Sequence, residues 1–422
     1  MKTRETAWRI SLAVLLSGAL VGFGPRLSGS AGTVRQASQT ISFITPPWGL
    51  PPDMRALAAF EKKTGITVQI RNVSDVQLQS KVLVATATHQ AAADVVYLTG
   101  EALSGIVAPG DMQPLDSFVA RSPDLNTPDI QQLNFWRYNG SLYGLITYVQ
   151  LVMLDYDASR YKKAGFNSPP TTWNELHQEA LTVKRKGIDQ YPIAFSLIDW
   201  SWFLMSLSMG DPMFDHKLNP TFTAPNSPGR RALRLLVQLY KEKLISPALL
   251  SAAQPHATYW SGIGTFHQSW EGALAVANNP KISTHAPNVQ YLLLPDRHYT
   301  WNLPSGLGIS KYSSHAVAAW EFIKWYMAPA QQKAIYYADG LIPSRTSVQQ
   351  SLRKAHKIQG FNVISEQSRY IHDLPRSVKW WSAWDTFVSS EMKVAAVGQA
   401  SPDAAITAIG QKWTSLRSQY GG

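Results

Sequence analysis

The sequence predicts an α/β protein of two domains. Three observations carry that prediction. A strand–helix–strand unit stands near the start, strands and helices keep alternating after it, and 422 residues exceed what one ordinary core holds. Forty-five per cent hydrophobic and 16% charged residues describe a globular chain rather than a disordered one.

Residues 1–30 read as a secretory leader. Lys2, Arg4 and Arg9 precede an uncharged stretch over 10–23, the length of a signal-peptide core and short of a membrane span. Ser28, Gly29, Ser30 and Ala31 offer small residues for cleavage. An exported protein, extracellular or in the cell envelope (periplasmic in a Gram-negative cell), is expected; an uncleaved N-terminal anchor is the other reading.

The first strand, over 40–44, runs into a loop bearing Trp48 between Pro47 and Gly49. A helix over 53–64 is capped by Asp53 and stopped by Gly65, and a strand over 66–70 follows. A helix over 76–88 leads to a buried strand over 94–98, which empties into Thr99, Gly100 and Glu101. Asn139-Gly140 marks a turn between two short strands within 136–148, and an apolar run covers 151–156. Beyond Pro169-Pro170 the chain becomes more helical. Thr172 with Glu175 forms a capping box, Pro228 starts a helix, Ser314 opens one with Val317, Trp320 and Met327, and Ser401-Pro402 opens the last. Trp173, Trp320 and Trp413 fall on apolar helical faces and are assigned to packing.

Several chemistries are excluded. The chain contains no cysteine, so disulfides, thiol catalysis, Cys metal sites and lipid attachment through Cys are ruled out. No P-loop, GxGxxG, GxSxG or HExxH pattern occurs, and no two histidines fall three or four apart. No cofactor and no metal are expected. The net charge is +11, or +8 without the leader, yet no block of five basic residues exists. Lys184-Arg185-Lys186 and Arg230-Arg231 with Arg234 read as solvated helix faces, and nucleic-acid binding is not expected.

Several segments are distinctive in order: Phe60-Glu61-Lys62-Lys63-Thr64-Gly65, Asp94-Val95-Val96, and Tyr138-Asn139-Gly140-Ser141-Leu142-Tyr143-Gly144. The most specific is Tyr161-Lys162-Lys163-Ala164-Gly165 followed by Pro169-Pro170-Thr171-Thr172-Trp173. Ala319-Trp320-Glu321-Phe322 and Gly340-Leu341-Ile342-Pro343-Ser344-Arg345 come later. Taken together, these segments resemble, in the same order, the family 1 extracellular solute-binding proteins of ABC importers, of the maltose-binding-protein-like, carbohydrate type. Before Trp270 the chain departs from the family's form, reading Gly262-Ile263-Gly264-Thr265-Phe266.

The resemblance implies a periplasmic-binding-protein-like clamp, each domain a sheet flanked by helices, joined by short hinge crossings. One lobe would comprise 40–149 plus 304–345 and the other 150–303 plus 346–422. The ligand would sit between them, closure would be read by membrane permease subunits, and the chain would act as a monomer without enzymatic activity.

Sugar recognition needs flat aromatic faces and placed polar groups. Trp48 follows a strand with no period to bury it. Glu101 lies in the next strand's exit loop, where a helix-capping role is equally open. Tyr148 and Gln150 stand at the first crossing, with hinge packing as the other reading. Trp200 and Trp202 form an aperiodic aromatic pair after Asp199. The resemblance places Trp270 with Glu271 at the family's site tryptophan, and Trp384 at a late sugar-stacking aromatic. Trp301 precedes the second crossing. Arg345 is a structural or hydroxyl-binding cation. The ligand is expected to be a sugar or oligosaccharide. The positive charge keeps an anionic polyol such as a glycerol phosphoester open, and a secreted carbohydrate-active enzyme with two cleft carboxylates is the alternative of another class.

Overall fold

In the computed structural model, residues 39–421 are described apart from 101 and 253, so the leader and Glu101 lie outside the described residues. β1 (Gln39–Thr45) is followed by α1 (Met54–Thr64), where the Asp53 carboxylate accepts from the Arg55 and Ala56 amides and Gly65 ends the helix at φ 72°. β2 (Ile66–Asn72), α2 (Asp75–Ala87) and β3 (Val95–Leu98) complete the unit that the opening pattern predicts. Next come α3 (Asp116–Ala120), the hairpin β4 (Arg137–Tyr138) and β5 (Ser141–Leu142) about Asn139-Gly140, and β6 (Leu145–Tyr148).

Beyond the first crossing lie β7 (Val152–Asp157), α4 (Ala158–Lys163), α5 (Trp173–Arg185) on its Thr172–Glu175 capping box, and β8 (Ile193–Ala194). α6 (Asp199–Ser208), α7 (Pro228–Lys241), α8 (His256–Trp260), β9 (Phe266–Trp270), α9 (Leu274–Ala277) and β10 (Val289–Leu292) follow. The chain then returns through β11 (Ser305–Ile309), α10 (Ala316–Tyr326) and α11 (Pro329–Asp339). It ends in α12 (Thr346–Lys354), α13 (Phe361–Gln367), α14 (Trp381–Ala396) and α15 (Pro402–Gln419).

Besides the two-stranded β4-β5 hairpin, the described residues form a five-stranded sheet in the order β2-β1-β3-β11-β6 and a four-stranded one in the order β10-β7-β9-β8. β1 is parallel to β2 and β3, whereas β11 runs antiparallel to β3 and β6. The chain therefore leaves the first sheet after β6 and re-enters it at β11. The connecting segments lie side by side. Val149 N donates to Ile342 O at 3.1 Å and Leu303 N to Gln150 O at 2.8 Å.

Each sheet has its own core. Phe43, Phe60, Phe322 and Tyr326 pack around the first, with Phe43 and Phe322 rings 5.2 Å apart. Trp202, Phe214, Phe222, Trp384 and Trp413 pack around the second, joining α6, α14 and α15. Each such ring removes ~150–250 Å² from water, a gross stabilisation of about 4–6 kcal/mol. Trp173, Trp320 and Trp413 are buried, as their periodicity predicts. Val317 is not: it is 70% exposed, because α10 buries Ala318, Ala319, Phe322, Ile323 and Tyr326, and Val317 stands opposite the middle of that arc.

Candidate functional site

Ligands in open α/β sheets sit beyond the carboxyl ends of strands, and there the two sheets face a common cavity of about 400 Å³. β1 delivers Trp48 on the turn Pro47–Gly49. That turn requires glycine at 49, since a Cβ there would lie 2.2 Å from Thr45 Oγ1 and 2.5 Å from the Tyr97 ring. Trp48 is left 37% exposed at the rim. β3 delivers Thr99 and Gly100, and the end of β6 delivers Tyr148 and Gln150. From the second sheet, the segment after β8 supplies Trp200, and β9 supplies Trp270 at its last position.

Five of the sequence-derived candidates thus share one cavity: Trp48, Tyr148, Gln150, Trp200 and Trp270. Tyr148 and Gln150 are joined, the phenol donating to Gln150 Oε1 at 3.3 Å, and Ser305 Oγ donates to the Tyr148 oxygen at 3.1 Å. Glu101, outside the described residues, has no place in this account.

The remaining candidates lie elsewhere. Glu271 is buried behind the wall, where its Oε2 accepts the Leu151 amide at 2.6 Å. It clips the first crossing, and burial pushes its carboxyl up to about 8. Trp202 and Trp384 are fully buried, their indole N–H groups donating to Gly229 O at 2.8 Å and Ile409 O at 3.0 Å. Each ring belongs to the second core, because α6 and α14 turn those faces inward. Trp301 stands one layer behind the cavity, edge-on to Trp200 at 6.1 Å and to Phe203 at 6.0 Å. Its position supports Trp200 rather than lining the cavity.

Arg345 is structural. Buried to 4% exposure, it donates to Met327 O, Leu125 O and Asp129, which anchors the segment between α11 and α12. The basic clusters are tied locally as well. Arg230 and Arg234 meet Asp403 at 3.0 and 2.8 Å, and Lys184 Nζ donates to the carbonyls of Glu242 and Lys243.

Sequence reasoning missed Gln254, His256 and Trp260, on and just before the short helix α8, and Asp339 at the end of α11. Their only linear signal is a concentration of aromatic and imidazole residues over 256–270, where the family phrase departs from its usual form. Asp339 gives no signal, since it reaches the cavity only once α11 packs. Burial raises its carboxyl to about 6.

Among the described lining residues there is no lysine or arginine, and Asp339 is the one carboxylate. Thr99 Oγ1, Trp260 Nε1 and Trp270 Nε1 are buried without a hydrogen-bond partner inside the protein. The arrangement can stack flat apolar faces and exchange hydrogen bonds with uncharged groups. Among the described residues no cluster of His, Asp or Glu could hold a metal ion, and no helix is long and apolar enough to cross a membrane.

The architecture has many structural counterparts. Maltose-bound MalE3 of T. maritima superposes with a TM-score of 0.79 at 19% identity, covering 89% of this chain and 99% of that one. An ABC transporter solute-binding protein from Agrobacterium radiobacter, in complex with ribitol, gives 0.81 at 18% identity over 90% and 99%. A substrate-binding protein from Listeria monocytogenes, in complex with cycloalternan, gives 0.80 at 18% identity over 90% and 99%. The fold is therefore the two-domain periplasmic-binding-protein architecture, and the pattern shared by one large family matches residues 55–359. The chain belongs to the bacterial extracellular solute-binding proteins.

Proposed function

We propose that this chain captures a neutral sugar or polyol between its two lobes and delivers it to the permease of an ABC importer. The observation that carries the reading is the cavity wall. Trp48, Trp200, Trp260, Trp270 and Tyr148 offer aromatic faces, Gln150, Gln254 and Ser305 offer neutral hydrogen bonding, and no lysine or arginine is among the described lining residues. Aromatic faces fit the C–H faces of a sugar ring, and its hydroxyls need placed donors and acceptors. The structural neighbours that hold maltose, ribitol and cycloalternan support the same ligand class.

The glycerol phosphoester reading loses support, since the described lining residues include no lysine or arginine to form the forks that phosphate favours. Glycoside hydrolysis needs two carboxylates roughly 5–10 Å apart across the substrate. Among the described lining residues Asp339 is the one carboxylate, which supports binding without turnover. The lobes are 40–149 with 304–345 and 150–303 with 346–422, a division supported by how the strands sort between the sheets. Ligand contacts to both lobes stabilise the closed state, which the permease reads. The leader is removed near residue 31, and the mature protein works outside the cytoplasm as a monomer without lipid or nucleic acid.

A thermal-shift screen against neutral sugars, polyols and glycerol phosphoesters tests this, because a ligand that binds only the folded state raises the melting point. A rise with one neutral sugar or polyol class, recovered unchanged, is expected. A rise with phosphoesters alone, or a chemically altered sugar, would overturn the reading.

A further inference from the structure

Asp155 and Asp157 stand two residues apart on β7, hence on one face of the strand. The register with β9 sets Asp155 opposite His267. α8 covers this face and inserts Tyr259 between two imidazoles, stacked 4.2 Å from the His267 ring and 4.2 Å from the His285 ring. Each imidazole meets a carboxylate through Nδ1: His285 to Asp157 at 2.7 Å and His267 to Asp155 at 3.1 Å. Asp155, His267 and Tyr259 have no exposed surface.

The Asp155 pair continues where the Asp157 pair does not. His267 Nε2 lies 2.9 Å from His256 Nδ1, and His256 is a cavity-lining residue. The His256 ring packs edge-on against Trp270 at 4.8 Å and over Trp260 at 5.9 Å, which fixes its plane.

With Asp155 ionised and His267 neutral, proton counting sets the direction of every link. An ionised carboxylate only accepts, so the His267 proton is on Nδ1. A neutral His267 then has a bare Nε2, which can only accept from His256. His256 therefore carries its proton on Nδ1, and its Nε2 is a bare acceptor. Burial holds the His256 pKa well below the ordinary histidine value, so the ring stays neutral.

We propose that His256 Nε2 is a ligand-contacting acceptor in the cavity, locked in that tautomer by the buried Asp155–His267 pair, and that it selects a hydroxyl donor on the ligand. The ligand half of this inference rests on the sugar-binding reading above. The tautomer half stands on the protein alone.

The test is a two-bond proton–nitrogen spectrum of the full chain labelled with ¹⁵N-histidine at neutral pH, with His256 assigned by its loss in His256→Gln. A single tautomer, protonated on Nδ1 and bare on Nε2, is expected. An Nε2-protonated His256, or the averaged signal of a freely exchanging imidazole, would overturn the inference. Saturating maltose, then ribitol, should move the His256 Nε2 signal, and His256→Leu should weaken binding by roughly tenfold where His256→Gln keeps most of it. A sugar that raises the melting point yet leaves that signal in place overturns the hydroxyl contact and spares the binding reading. A panel without any melting-point rise removes the binding reading and the hydroxyl contact together, and the tautomer still decides the lock.

Discussion

Gly272 and Gly340 meet main chain to main chain. A Cβ built on Gly272 would stand 1.3 Å from Gly340 O, and one on Gly340 would stand 2.5 Å from Gly272 O. Gly272 follows β9 of the four-stranded sheet, and Gly340 caps α11, whose Ile335 lies in the core of the five-stranded sheet. The two halves of the molecule therefore touch backbone to backbone beside Trp270 and Asp339, both on the cavity wall.

Replacing Gly272 by alanine forces those backbones apart. Overpacking of this kind typically costs about 1–3 kcal/mol, and here it falls on the arrangement that brings the cavity walls together. Gly272→Ala is expected to weaken sugar binding and to enlarge the sugar-saturated protein in small-angle scattering. A wild-type affinity and scattering profile would contradict this role.

Trp48 is the cleanest probe of aromatic stacking, because it is 37% exposed and sits outside both cores. Trp48→Ala is expected to reduce sugar affinity by about 1–3 kcal/mol with little change in melting point. Trp270 is less clean, since it is 9% exposed and packed in the second core. Titration of the Trp48 variant settles the matter: unchanged affinity removes Trp48 from the site.

Asp339 gives the site a pH dependence with a definite sign. Its carboxyl is raised to about 6 by burial, so it is ionised above that pH and protonated below. For folding, a raised acid favours the protonated native state, and stability falls as pH rises from about 4 towards 6. For binding, a hydroxyl that donates to the carboxylate exchanges a charged acceptor for a weaker neutral one as pH falls through 6. Affinity is expected to drop by roughly tenfold between pH 7 and pH 5, and Asp339→Asn should flatten that profile. A pH-independent wild type would remove Asp339 from the contact set.

Arg345→Ala separates a structural cation from a ligand-binding one. It leaves Asp129 and the carbonyls of Met327 and Leu125 without their buried partner. Breaking such a pair costs about 3–5 kcal/mol, read by denaturant unfolding. Sugar affinity of the folded fraction should be unchanged, and a selective loss of affinity would return Arg345 to the site.

Much of the fold is legible because local signals agree with it. Asp53 and Gly65 bound α1, Thr172 and Glu175 cap α5, and Asn139-Gly140 turns the hairpin, each acting within a few residues. The site is legible where strand ends announce it: Trp48, Tyr148 and Trp270 each stand at or just beyond the end of a strand. Trp202 and Trp384 mislead because a tryptophan on a helix looks alike whether its face turns to the core or to the cavity. Only α6 against α14 decides it. His256 shows only through the aromatic and imidazole residues over 256–270, since its chain of partners ends at Asp155 on β7, and Asp339 is silent because it meets the cavity only through packing.

The most direct measurement is a calorimetric titration of the protein with maltose and ribitol on one side and a glycerol phosphoester on the other. Saturable one-to-one binding of a neutral sugar or polyol, with none of the phosphoester, is the expected result. Binding of the phosphoester alone, or no heat from any neutral sugar or polyol, would contradict the account.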